Sequence, residues 1–327
     1  MILAGDIGGT NTRLAFFKAD GDRVQVVAEG TLPSREHPGL EAALRKFVSS
    51  HPLPIDQACF GVAGPVRNGR CEATNLAWVV DGRQVAKELG LKTVGLINDL
   101  EANAFGIAAL ESKDFFTLNV GVPDAGGNQA IISAGTGLGE AGLFWDGKMY
   151  RPFAAEGGHA TFAPRNELEM ALLRYLLGRF EHVSFERVLS GPGLVNIYTF
   201  LRDTGRGEEP AWLAEELRQP HPAAAITQAA LEGKSALCVQ ALDLFVSIYG
   251  SEAGNLALKV MATGGVFLGG GIAPRIFRTG EDTKFVQAFT AKGRMKPLLE
   301  AIPVQVILND KTALLGAARC AALARQS

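Results

Sequence analysis

Cysteine is scarce in this chain: four residues in 327, at Cys59, Cys71, Cys238 and Cys320, with no Cys-x-x-Cys pair and no framework of spacings. That scatter excludes a disulfide scaffold and a thiolate zinc site, and it suits a chain kept reduced. Long apolar runs are missing as well. No stretch of about 18 apolar residues, the length a spanning helix needs, goes without glycine punctuation, so no membrane segment is expected. An excess of one charge is also absent. The 32 Lys and Arg stand against 34 Asp and Glu, for a net charge of −2 and a pI near 6.2. A nucleic-acid partner would leave a basic footprint, and no Lys/Arg cluster supplies one. The first residues carry no basic segment and no small-residue cleavage site, so a cytoplasmic chain is expected.

What the chain has in quantity is glycine, 39 residues, on a background that is 47% apolar and 20% charged. Such a composition is that of a globular protein, and this length favours two domains over one. Three glycine-rich turns each follow a short apolar run: Gly5-Asp6-Ile7-Gly8-Gly9-Thr10-Asn11, Ala134-Gly135-Thr136-Gly137-Leu138-Gly139 and Gly264-Gly265-Val266-Phe267-Leu268-Gly269-Gly270-Gly271. Glycine lets backbone N–H groups approach an anion without a side chain in the way. Three such turns spread over the whole length point to an extended polyanion held between two lobes. Asp6 adds a cation, because a carboxylate inside a phosphate loop repels the ligand unless Mg²⁺ lies between them.

The periodicities alternate between strand and helix. Met1–Asp6 and Thr12–Lys18 read as a β-hairpin, with Arg23–Leu32 as a third strand. Gly39–Ser50 has helical spacing, Asp81 reads as the N-cap of a helix to Leu89, and Ala58–Val62 and Thr93–Ile97 read as buried strands. A helix over Leu100–Leu110 follows Asn98-Asp99, which places that pair at the carboxyl end of a strand, where open α/β sheets bind ligands. Further on, Gln129–Ala134 and Gly142–Trp145 are strands, Asn166 and Glu169 resemble a capping box, and Ser235–Ala257 is a long buried helix. Val266–Leu268 is another strand. The alanine-rich helix Lys311–Arg325 is expected to return to the first lobe.

The candidate chemistry lies at three places. Asp99 competes between two roles, N-cap of the helix that follows and functional carboxylate. Glu156-Gly157-Gly158-His159 is a polar turn whose two side chains can converge on one ligand, and Glu186 precedes a turn at Gly191-Pro192-Gly193. Carboxylates, an amide and an imidazole suit a polyhydroxylated ligand, since they accept or donate hydrogen bonds to hydroxyls. The i, i+3 spacing of Glu156 and His159 also imitates a di-iron motif, but that motif needs a helix and Gly157-Gly158 argues against one. A dinucleotide fold is disfavoured too, because a strand rather than a helix follows Gly8-Gly9.

Taken in order, these segments, with Leu96-Ile97-Asn98-Asp99, Glu186–Asn196 and Gly264–Pro274, resemble the bacterial-type glucokinases of the hexokinase–actin ATPase superfamily. The resemblance runs from Gly5 to about Gly316. It implies an α/β, two-lobed hexokinase/actin-like (ribonuclease H-like) fold, with mixed sheets flanked by helices and a cleft between the lobes. Residues 1–109 plus 309–327 would form the small domain and 110–308 the large one. By the same resemblance, Gly5, Asp6, Ile7, Gly8, Gly9, Thr10 and Asn11 line the phosphates of ATP, with Asp6 facing Mg²⁺ through water. Gly135, Thr136 and Gly137 form the second phosphate loop, and Gly269, Gly270 and Gly271 pass the adenosine. Asn98, Asp99, Glu156, His159 and Glu186 would hold glucose, with Asp99 as the base. A homodimer is implied as well. Three other readings stay open at this point: a kinase of the same fold for another hexose or amino sugar, a catalytically silent sensor, and a different phosphoryl donor such as ADP or polyphosphate.

Overall fold

A computed structural model describes residues 1–21, 23–73, 76–123, 125–277 and 283–324. The chain divides into two compact units, Met1–Asp114 with Lys148–Ala154 and Asn309–Ser327, and Phe115–Gly147 with Ala155–Leu308.

In the first unit, β1 (Ile2–Ile7) and β2 (Asn11–Asp20) form the expected antiparallel hairpin, and β3 (Arg23–Pro33) extends it. Helix α1 (Leu40–Ser50) buries Leu40, Ala43, Leu44 and Phe47, the i, i+3, i+4, i+7 stripe of an amphipathic helix. Strand β4 (Gln57–Val62) then pairs parallel to β1. Three short strands that periodicity does not reveal, β5 (Val66–Arg67), β6 (Arg70–Glu72) and β7 (Val79–Asp81), make a small sheet of their own. Asp81 caps α2 (Gly82–Leu89) by accepting from the Arg83 N–H at 2.8 Å, and Gly90 ends it in the left-handed region at φ 69°. Strand β8 (Gly95–Asn98) is shorter than the expected Thr93–Ile97 at its start and includes Asn98 at its end. The helix after it, α3 (Asp99–Ile107), begins and ends earlier than the expected Leu100–Leu110.

The five-stranded sheet runs in the order β3-β2-β1-β4-β8. Its two faces are both buried, which is why β2 carries apolar residues at successive positions instead of every second one. Leu3, Ile7, Leu14 and Phe16 pack with Leu40, Leu44 and Phe47 on one side. Ile2, Ala4, Ala15 and Phe17 pack on the other side against Ala313, Leu314, Ala317 and Ala321 of the last helix, Thr312–Ala324. That helix was expected over Lys311–Arg325, of which Arg325 lies outside the described residues.

The second unit contains β9 (Phe115–Asn119), β10 (Gln129–Ala134) and β11 (Leu138–Trp145). Strand β12 (Tyr150–Ala155) counts almost wholly with the first unit. There follow α4 (Glu167–Leu177), α5 (Gly191–Asp203), α6 (Ala211–Glu216), α7 (Pro222–Leu231) and α8 (Ala236–Val260). The unit closes with β13 (Val266–Gly269), α9 (Ala273–Ile276), α10 (Thr283–Thr290), α11 (Lys296–Glu300) and β14 (Val304–Ile307), and the chain's last helix is α12. The strands of this unit lie in the order β11-β10-β13-β14-β9. Asn166 accepts from the Glu169 N–H at 2.9 Å, as a capping box requires, while the Glu169 carboxylate reaches past it to the Arg165 N–H at 2.8 Å. Helix α8, capped by Ser235, is buried along most of its length, with Phe245 and Tyr249 among the largest enclosed side chains.

Helices α3 and α12 cross at backbone contact. A Cβ on Gly316 would stand 1.7 Å from the Ala102 carbonyl oxygen, and one on Gly106 would stand 2.0 Å from that of Thr312. Neither atom can move without unwinding a helix. Gly316→Ala is therefore expected to destabilise the protein by at least the ~1–3 kcal/mol of an overpacked core. Urea unfolding should show a lower midpoint at unchanged slope, and an unchanged midpoint would place the two helices further apart than described.

Candidate active site

In the first unit, three parallel strands end side by side. Ile7 pairs with Val62, and Val62 with Asn98. The turn that leaves β1 and the Asn98-Asp99 pair that leaves β8 thus share one sheet edge, two strand spacings or about 10 Å apart. The turn is tight, with the Gly8 N–H donating to the Asn11 carbonyl at 3.0 Å. Ser34, which sequence reasoning passed over, holds it from behind. Its hydroxyl donates to the Gly8 carbonyl at 2.7 Å, and its N–H donates to the Thr10 carbonyl at 2.9 Å.

The N-cap position for which Asp99 is a candidate is taken by its neighbour. Asn98 is the N-cap of α3: its side-chain oxygen accepts from the Leu100 N–H at 2.8 Å, and its amide donates to the Gly64 carbonyl at 3.0 Å. Asp99 occupies the first helical position, partly buried, and its carboxylate also lies 2.9 Å from the Leu100 N–H. A carboxylate in the first turn of a helix meets the positive end of the backbone dipole. Asp99 thus has a structural part at the helix start, and its place at the strand ends is compatible with a second role in chemistry.

Asp6 lies on β1 beside Arg13, its cross-strand partner, and Asp310. Arg13 also pairs with Asp310 at 2.9 Å. Burial pushes the Asp6 carboxyl above its ordinary range; Arg13 opposes that rise and Asp310 adds to it. Among the described residues no cluster of three or more His, Cys, Asp or Glu could cage a metal ion. A single carboxylate that resists ionising by itself is the donor set that suits Mg²⁺ arriving with a nucleotide, since Mg²⁺ keeps several waters and takes one or two carboxylates plus phosphate oxygens.

The second unit ties the Gly135–Gly137 turn to Glu186. The Gly135 N–H donates to the Gly137 carbonyl at 2.9 Å, and the Gly135 carbonyl accepts from the Gly191 N–H at 2.8 Å. The Glu186 carboxylate accepts from the Leu138 N–H at 2.9 Å, directly after the glycine turn. Gly191-Pro192-Gly193 is not a separate turn, as the sequence suggested, but the first turn of α5. Ser190 caps it by accepting from the Gly193 N–H at 3.0 Å, and proline suits that first turn because no intrahelical partner waits for its missing N–H. Gly269, Gly270 and Gly271 leave β13 next to the end of β10. There Gly270 has φ 80°, and a Cβ on it would stand 2.3 Å from the Ala134 carbonyl oxygen.

Glu156 and His159 flank a single 3₁₀ turn, Gly157–His159, and both are exposed. This turn sits against the segment that bears Glu186. The Phe185 N–H donates to the Ala160 carbonyl at 2.9 Å, and the His182 ring contacts the His159 carbonyl at 3.0 Å through Nε2. Glu156, His159 and Glu186 are thus grouped within one unit.

A cavity of about 1090 Å³ opens beside Gly135 and Thr136. Leu194 and Val195 of α5, Ala224 and Thr227 of α7, and Ile272 and Arg275 near α9 line it. Leu194, Val195 and Ile272 fall inside the Glu186–Asn196 and Gly264–Pro274 segments, where no role was assigned to them, whereas Ala224, Thr227 and Arg275 carry no motif and sequence reasoning missed them.

The glucokinase family model matches residues 3–324. Curated glucokinases of Trichormus variabilis and Nostoc punctiforme are 44% and 43% identical to the chain, each over 98% of it and 99% of their own length. A solved glucokinase from an Antarctic psychrotroph aligns with a TM-score of 0.85 at 32% identity, covering 100% of this chain and 99% of that one. The chain belongs to the glucokinase family.

Proposed function

We propose that this member of the glucokinase family transfers the γ-phosphoryl group of ATP to the 6-hydroxyl of glucose, with Asp99 as general base. One observation carries the residue assignment: Asp99 and the glycine turn of β1 stand at the same sheet edge, close enough for a sugar hydroxyl beside one to meet a phosphate beside the other. In the reaction the bond from the γ-phosphorus to its bridging oxygen breaks and a bond to the sugar oxygen forms. The hydroxyl proton passes to the Asp99 carboxylate, and ADP leaves.

Phosphoryl transfer asks a protein mainly for alignment and charge neutralisation. The Gly8–Asn11 and Gly135–Gly137 turns offer backbone N–H groups to the phosphates. Mg²⁺ held at Asp6 through water would neutralise charge on the transferred group. Asn98, Glu156, His159 and Glu186 would grip sugar hydroxyls, and such pairing rejects analogues that lack one of them. The cavity beside Gly135 has the volume and the apolar lining expected of a nucleoside pocket. A reducing cytoplasm fits the four unpaired cysteines.

Asp99→Asn is expected to lower turnover by ~10²–10⁴ while glucose affinity changes by less than about threefold, as read by coupled ADP release and calorimetry. Turnover at the wild-type rate would remove Asp99 from the chemistry. Ala224→Trp, which fills the cavity from an exposed position of α7, should raise the KM for ATP about tenfold or more and leave that for glucose within about twofold. A hexose panel run with ATP and with polyphosphate fixes the acceptor and donor together. Preference for another hexose or an amino sugar would revise the substrate and keep the reaction class.

A further inference from the structure

Glu140 does not belong to any of the motifs above, yet it lies directly beneath one. It sits on β11, two residues beyond Leu138, and only 2% of it is exposed. Its Oε1 has no hydrogen-bond donor among the described residues. Its carboxyl instead meets that of Glu252 on α8, which is 0% exposed. Glu252 has its own donors, the Asn255 amide at 2.8 Å and the Lys259 ammonium at 3.3 Å. Burial and the neighbouring Glu252 carboxyl both disfavour a charge on Glu140, so a proton held there spares the pair two opposed negative charges. Glu252, the one with donors, keeps the charge.

The other face of the Glu140 carboxyl supports the turn that carries Glu156 and His159. A Cβ on Gly157 would stand 1.8 Å from Glu140 Oε2, and one on Gly158 would stand 2.0 Å from the Leu138 carbonyl oxygen. The two glycines let the turn settle onto β11 and onto this carboxyl.

We infer that Glu140 is a positioning residue: a neutral carboxylic acid sharing its proton with Glu252, it forms the floor that aims Glu156 and His159 at the sugar. The inference rests on the glucose-kinase reading of those two residues. Burial first, and then Glu252, push the Glu140 carboxyl up to about 8. The charged and titratable groups around the pair are Lys259 and Tyr249 on α8, and Lys292, which donates to Asn255 at 2.6 Å and has Arg165 and Glu169 near it. Loss of the proton would set two negative charges against each other under the turn and displace its floor.

Glucose binding measured by calorimetry at about pH 7 and about pH 9 tests this. Wild-type affinity is expected to fall at least about fivefold, while Glu140→Gln, which stays neutral and can still donate to Glu252, should change less than about twofold. Should that variant not fold, Glu252→Gln removes the repulsion from the other side and should lessen the alkaline fall, with burial still opposing ionisation of Glu140. A second readout does not involve sugar. Because the folded chain holds this proton beyond the ordinary glutamate value of 4.5, its contribution to stability is complete below that pH and is lost as pH rises through about 8. The Tm of Glu140→Gln relative to wild type should therefore climb between about pH 5 and about pH 8.5. A pH-independent wild-type affinity, an alkaline fall undiminished in both variants, or a constant Tm difference would each overturn the inference. A wild type that neither binds nor phosphorylates glucose at pH 7 would overturn the functional reading and this inference with it.

Discussion

The placement of Asp99 depends on a contact between two helix backbones. α3 and α12 touch at Gly106 and Gly316 with no side chain between them, and Gly61 of β4 leaves room for Ala102 of α3 to come within 2.7 Å of where its Cβ would be. Helices packed through larger side chains stand 8–10 Å apart. Small residues on both sides bring α3 down onto the sheet, so that its first turn opens at the carboxyl ends of β1, β4 and β8. The alanines of α12 follow from the same closeness, because Ala317, Ala318 and Ala321 lie where a larger side chain would lift the helix off Ile2 and Ala4. The position of Asp99 at those strand ends is a consequence of that economy of side-chain volume.

In the second unit the constraint is polar. Glu186 reaches the backbone of Leu138, Gly191 reaches the carbonyl of Gly135, and Phe185 reaches that of Ala160. Each bond joins a segment with a proposed sugar contact to one with a proposed phosphate contact, or joins two sugar segments. A shift of one would be felt by the others, because buried polar groups lose heavily when a partner moves away. Glu186 is thus both a ligand candidate and a strut, and the second role is visible only in three dimensions.

Much of this architecture was legible from residues alone, and the failures have physical causes. The hairpin of β1 and β2, the Asp81 cap and the long α8 follow from local periodicity and capping chemistry. Strands β9 and β14 did not stand out, because each is short and β9 finds its partner nearly 190 residues later. The helix after β8 starts one residue before its expected place because Asn98 and Asp99 are both good caps and both reach the Leu100 N–H, and only the extended backbone of Asn98 and its tie to Gly64 mark it as the cap. The proline at position 192 suggested a turn, whereas its place just inside a capped helix is among the few a helix tolerates. Glu140 gave no signal at all, since the strand was expected only from Gly142, whereas β11 begins at Leu138, and an acidic residue directly after a glycine turn reads as solvent-facing.

The glycines divide by what holds them. Gly157, Gly158, Gly106 and Gly316 face atoms closer than 2.1 Å from a hypothetical Cβ, and Gly270 combines a contact at 2.3 Å with positive φ, so the fold itself demands them. Gly135 and Gly271 are different. Neither has a positive φ, and a Cβ on either would meet nothing within 4 Å. No intramolecular contact and no backbone conformation requires glycine at these two positions, which sit at the ends of the adjacent strands β10 and β13. Their bare backbone is open to an external group, and N–H groups with no side chain in the way suit the nucleotide of the proposed reaction better than an apolar ligand, which gains nothing from them.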